Sequence, residues 1–129
     1  MRFEHGEHNE ELCDHLLGLE KRFNDWVVTT AFYACIHFVE SKLFPLTNGD
    51  KDFESFNAYC DFQHNENNSK LSKHALKAQL VKIYLPAINT QYRMLKDACM
   101  NSRYTDYQVS DNKAQSCRDT MKVIKRNCQ

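Results

Sequence analysis

Turn-forming residues are scarce in this chain: its 129 residues hold three glycines and two prolines. A many-stranded sandwich or barrel needs a turn about every 8–12 residues, so this scarcity argues against that architecture. No apolar run approaches the roughly 20 residues that span a bilayer. The opening stretch, MRFEHGEHNEELCDH, is polar and acidic and does not read as a signal peptide. A Gly-rich phosphate loop and a Gly-x-Ser-x-Gly elbow are both missing, which excludes a P-loop site and an α/β-hydrolase nucleophile. Six cysteines are present, but no Cys-x-x-Cys pair and no zinc-finger spacing. Cys35, Cys99 and Cys117 fall at apolar helical positions, where a free thiol behaves as a small hydrophobe. A reduced cytoplasmic compartment is the simplest expectation.

What is present reads as one soluble domain, residues 1–129. Hydrophobic residues make up 42% and aromatics 12%, enough to build a core and too much for a disordered chain. A domain of this size buries roughly two-thirds of its unfolded surface without a metal or disulfide staple. Net charge is zero, yet the two halves differ. Residues 1–65 carry 12 acids against 5 bases, and residues 66–129 carry 5 acids against 12 bases. The halves either attract each other, within the fold or across a dimer, or leave a basic face for an anionic partner.

Helical periodicity dominates. Residues 8–22 form a thin stripe of Leu12, His15 or Leu16, and Leu19. Residues 25–44, DWVVTTAFYACIHFVESKLF, form the central segment, capped by Asn24 and stopped by Pro45. Val27 to Thr30 is a β-branched run, but 20 residues without a breaker favour helix. One seam holds Val28, Ala31, Cys35, Phe38 or Val39, and Lys42 or Leu43. A second holds Trp26, Thr30, Tyr33, His37, Glu40 and Phe44. Residues 45–69 interrupt the pattern, with a short helix capped by Asp52 and carrying Phe53, Phe56 and Cys60, then a polar loop, QHNENNS. A helix over 70–84 is capped by Ser72, with Leu76, Leu80, Ile83 and Tyr84 inward. The next, about 86–103, starts on Pro86 and buries Ile88, Tyr92, Leu95, Cys99 and Ser102. Ser110 caps a last helix to about 127, with Ala114, Cys117, Met121 and Ile124 inward. The fold class is therefore all-α, an antiparallel up-and-down bundle of four to five helices with an insertion at 45–69.

Candidate chemistry is sparse. His37 and Glu40 have an i,i+3 spacing that lets two side chains reach one ion, but no Glu-x-x-His occurs and the ligand set is incomplete. No metal and no cofactor are expected. A core role for His37 would have it hydrogen-bonded to a neighbour such as Glu40 or a tyrosine. A Cys–His dyad stays open, though buried structural cysteine fits the spacing better. SRYTDY, residues 102–107, sits at a helix end. Arg103 there either satisfies terminal carbonyls or, with Tyr104 and Tyr107, grips phosphate or stacks on a base.

The segments DWVVTTAFYACIHFVESKL, KHALKAQLV and TQYRMLKDACMNSRY resemble small bacterial proteins of the HEPN superfamily. The likeness spans roughly residues 24–107. It implies a helical bundle that forms homodimers. Many such proteins are metal-independent RNases of toxin–antitoxin, defence or RNA-processing systems. Others are nucleotide-binding or assembly modules beside a nucleotidyltransferase. Catalytic members carry Arg, then four to six residues, then His on a late helix. Here Arg93 and Arg103 are the arginines of that helix, and no histidine follows, because the last in the chain is His74. Arg2 and His8 have the spacing, but Arg2 lies before the first helix assigned above and His8 only at its start, so the match reads as chance. Arg103 to Tyr107 puts a phenol where an imidazole is wanted, and a phenol titrating near 10 is a poor base at neutral pH.

The function expected is a non-catalytic HEPN-like module. It binds a nucleotide, RNA or a partner protein, such as an antitoxin or nucleotidyltransferase, near Tyr33, His37, Tyr92, Arg103, Tyr104 and Tyr107. Two alternatives stand beside it: an RNase whose displaced acid/base is His37 or His74 acting with Arg103, and a purely structural interaction protein that uses 45–69.

Overall fold

The computed structural model describes residues 2–129. Its elements are α1 (Arg2–Leu17), α2 (Asn24–Leu43), β1 (Leu46–Asn48), β2 (Lys51–Phe53), α3 (Phe56–Asn65), α4 (Lys73–Tyr84), a 3-10 turn (Pro86–Ile88), α5 (Asn89–Tyr104) and α6 (Asp111–Cys128). The protein is thus a helical bundle with one two-stranded hairpin. Among the described residues, no helix is long and apolar enough to cross a membrane.

α2 is the axis of the core. Val27, Val28, Ala31, Phe32, Ala34, Cys35, Phe38 and Val39 are all fully buried, so the helix is apolar around most of its girth. The β-branched run is helical because Thr29 and Thr30 turn their hydroxyls back onto the helix, donating to the carbonyls of Asp25 and Trp26 at 2.8 and 2.7 Å. Asn24 is not a cap. It is the first helical residue, and its amide donates to the Val109 carbonyl and to Asp111 Oδ1, tying α2 to the start of α6.

α1 differs from its expected range. It begins at Arg2 and ends at Leu17, where Gly18 begins a turn. Gly6 explains its closeness to α2: a Cβ there would sit 2.5 Å from the Phe38 ring. Along α6, Arg118 reaches Asp14, Lys122 reaches Glu10 and Asp14, and Lys125 reaches Glu7 and Glu10. Part of the charge split is therefore attraction within the fold.

The 45–69 insertion holds a hairpin that periodicity missed. Its two-residue turn is Gly49-Asp50, with Gly49 at φ +66°, in the left-handed region. Leu46 pairs with Phe53, and both are buried; the Phe53 ring packs on Tyr59 and Phe62. Asp52 lies in β2 and accepts from Thr47, so the cap of α3 is Ser55, and α3 runs on to Asn65, into the start of the stretch expected to be loop. Ser72 and Ser110 cap α4 and α6 by accepting from Ala75 and Lys113. On α4, Val81 is buried where Ile83 was expected; Ile83 is 64% exposed.

Candidate functional site

Burial of Tyr92, Leu95 and Cys99 seats α5 against α2. The Tyr92 ring lies 5.6 Å from that of Phe32, and this packing brings the last turn of α5 beside the middle of α2. There, Arg103 donates from Nη1 to the Tyr33 hydroxyl. Its guanidinium carbon is 5.8 Å from the centroid of the Tyr33 ring and 5.3 Å from that of Tyr104. Tyr104 is 72% exposed. An arginine held between two tyrosines is a cationic, aromatic shelf that can stack a planar group and still donate to an anion.

His74, on α4, borders this shelf. Its ring is 6.1 Å from Phe32, whose ring is 6.3 Å from Tyr33. Burial lowers the imidazole pKa, and the charges of Lys77, Lys96 and Arg103 lower it further, so the neutral form prevails at pH 7.

The other expected residues fall elsewhere. His37, one turn beyond Tyr33, stacks on His5 with centroids 3.8 Å apart. It makes no bond to Glu40, and its Nδ1 is buried without a partner among the described residues. Burial, then the His5 charge, lowers its pKa; Arg2 and Lys77 add to this and Glu40 opposes it. Glu40 is instead paired with Lys77 at 3.0 Å, both nearly buried, and the Lys77 ammonium lies 4.3 Å from the centroid of the Phe56 ring. That pair takes Glu40 away from the imagined His37–Glu40 ligand set. Tyr92 has no exposed surface and packs on Phe32, so it does not line the shelf. Tyr107, on the loop after α5, borders a separate recess of about 390 Å³ with Arg22, Asn24 and Asp25.

Tyr33, Arg103 and Tyr104 therefore come together with His74 beside them, while His37, Tyr92 and Tyr107 stand apart. Arg2 and His8 both lie exposed on α1, but six residues around a helix place them about 120° apart. The contact that sequence reasoning missed is His5. Starting the first helix at residue 8 left it outside the fold. A further cleft of about 450 Å³ lies between α5, the 105–110 loop and α6; Val28 and Ala98 line it together with Asp97, Asp106 and Lys113, and none of the expected residues does.

Cysteine chemistry is disfavoured by burial. All six thiols are free and buried. Desolvation pushes Cys13 and Cys128 up to about 11 and raises the pKa of the other four as well. A thiol that stays protonated at pH 7 is a poor nucleophile, which closes the Cys–His alternative. No protein-family model, curated protein or solved structure matches this chain.

Proposed function

We propose that this chain is a HEPN-like, non-catalytic helical module that binds RNA or a nucleotide on the Tyr33–Arg103–Tyr104 shelf. The observation that carries this reading is the arginine itself. Arg103 stays exposed while it bonds one tyrosine and lies near the rings of two. Capping a helix end would need only bonds to the last carbonyls. A base stacked on the tyrosines, with its phosphate on the guanidinium, uses both properties of the cluster.

Arg103→Ala should weaken binding of AMP or oligouridine by roughly 5- to 150-fold, the range of one lost base-stacking contact. Arg103→Lys should not restore it, because a lysine lacks the planar fork. Unchanged affinity in Arg103→Ala would sink the reading.

His74 supports a second reading, a metal-independent RNase. A neutral imidazole that senses the charge of Arg103 has the properties of a general base beside a phosphate-stabilising cation. It requires RNA cleavage in EDTA that disappears in His74→Ala.

A further inference from the structure

The cations of α4 and α5 sort into two sets. Lys77 turns inward and is neutralised by Glu40. Lys82, Arg93 and Lys96 instead line a groove of about 350 Å³ between the two helices. Gln79 and Asn89 add carboxamides, and Asp97 is the single acid of the lining. No ion pair to a carboxylate forms at any of these three cations among the described residues. The Asn89 amide oxygen is buried without a partner, and a carboxamide presents oxygen or nitrogen by a simple flip.

The groove and the shelf are continuous in charge. Lys96 and Arg103 stand on the same helix, α5, and the charges of both reach His74 on α4. From Arg93 to Arg103, α5 rises about 15 Å. That length matches on the order of four phosphates at the ~3.4 Å spacing of a stacked strand. A mononucleotide would occupy the shelf and leave the three groove cations without a counter-charge.

We propose that the α4–α5 groove is a phosphate-binding site that holds the backbone of a single-stranded nucleic acid whose base rests on the shelf. This inference rests on the nucleotide reading of the shelf and adds that the ligand is a strand of several nucleotides. An acidic peptide would satisfy the cations but has no use for the exposed tyrosine faces. A strand uses both, through phosphate charge and base stacking.

The test is a salt titration of the full chain with fluorescent oligouridine of about 12 nucleotides, within the usual range of such sites. AMP and polyglutamate are the comparison ligands. Each phosphate neutralised on a single strand contributes about 0.7 to the slope of log K against log salt. Replacing Lys82, Arg93 and Lys96 together by alanine should therefore flatten the slope by about 2 and weaken binding roughly 100-fold at about 0.1 M salt. Tyr104→Ala should weaken binding with the slope intact, and Arg126→Ala, on α6, should leave the slope unchanged. All three groove side chains are exposed or half-buried, and far-UV circular dichroism of the triple variant should match wild type.

Oligouridine binding with an unaltered slope in the triple variant would overturn the groove and spare the shelf. So would AMP binding as tightly as oligouridine, provided Arg103→Ala abolishes it. Polyglutamate binding as tightly as oligouridine, indifferent to Tyr104→Ala, would overturn the strand in favour of an acidic protein. If neither AMP nor oligouridine binds, both the groove and the shelf reading fall.

Discussion

On α6, Arg118, Lys122 and Lys125 each meet a carboxylate of α1, whereas Lys82, Arg93 and Lys96 on α4 and α5 meet none among the described residues. The first set joins the two ends of the chain and is occupied by folding. The second forms no ion pair in the folded state, and cations left without a paired carboxylate are where an external anion fits. α4 contains both situations on one helix: Lys77 faces in toward Glu40, and Lys82 faces out toward the groove. The sign of the charge is the same; the presence of a carboxylate opposite decides what it does.

The contrast is largest at Lys77. Burial pulls its pKa down, and the nearby Glu40 partly restores it. Lys77→Ala removes the partner of a nearly buried carboxylate, which costs about 3–5 kcal/mol. Lys82→Ala, on the same helix, should stay within about 0.5 kcal/mol of wild type. Urea unfolding midpoints compare the two directly, and equal midpoints would refute the distinction. Pairing Lys77→Met with Glu40→Leu should recover most of the loss, since a well-packed apolar pair can replace a buried ion pair.

A smaller effect tests the tightness of the charge-satisfied side. At Gly6 an added methyl would meet two atoms of the Phe38 ring, at 2.5 and 2.6 Å, and that ring is fully buried and cannot swing away. Gly6→Ala should cost about 1–3 kcal/mol by overpacking. Gly18→Ala, whose nearest contact would be 3.6 Å, is its control and should be close to neutral. A tolerated Gly6→Ala would mean that α1 does not approach α2 as closely as described.

Local signals were legible in the sequence, and long-range pairing was not. Ser72 and Ser110 read correctly as caps because a cap involves only the next three residues. The inner faces of α5 and α6 also read correctly, since a 3.6-residue period survives any arrangement of neighbours. The hairpin was missed because three-residue strands are too short for alternation to register, although Gly49-Asp50 is turn chemistry. That miss moved the α3 cap from Ser55 to Asp52. At the site, Arg103 and Tyr104 are adjacent in sequence and were seen together; Tyr33 joined them through the mixed seam of α2. Tyr92, on the inner seam of α5, was correctly read as buried but wrongly counted among the site residues, because periodicity cannot tell a ring that lines a surface from one packed under it. Which cations lack a carboxylate depends on residues about a hundred positions apart, as Arg118 and Asp14 illustrate.

Acid separates the two cation sets with the smallest effect. Burial raises the Glu10 carboxyl, but hydrogen bonds from Lys122 and Lys125 outweigh it and hold its pKa below the ordinary 4.5. Asp14 behaves alike, with Lys122 and Arg118 overcoming burial and holding it below 3.8. A carboxylate with a lowered folded-state pKa contributes stability that is complete above the unfolded value and lost as pH falls through the folded one. The α1–α6 ladder should therefore hold at neutral pH and weaken progressively below about pH 4.5. Lys122→Ala should cost about 0.2–1 kcal/mol per ion pair lost at pH 7, and that cost should shrink as the acids protonate. The groove variant, lacking Lys82, Arg93 and Lys96, removes no such pair. Its unfolding midpoint should follow the wild-type pH profile in parallel from pH 7 to pH 3, offset by at most about 0.5 kcal/mol. A groove variant whose midpoint converges on wild type at low pH would reveal carboxylate partners for those cations, and the α4–α5 face would then belong with the ladder.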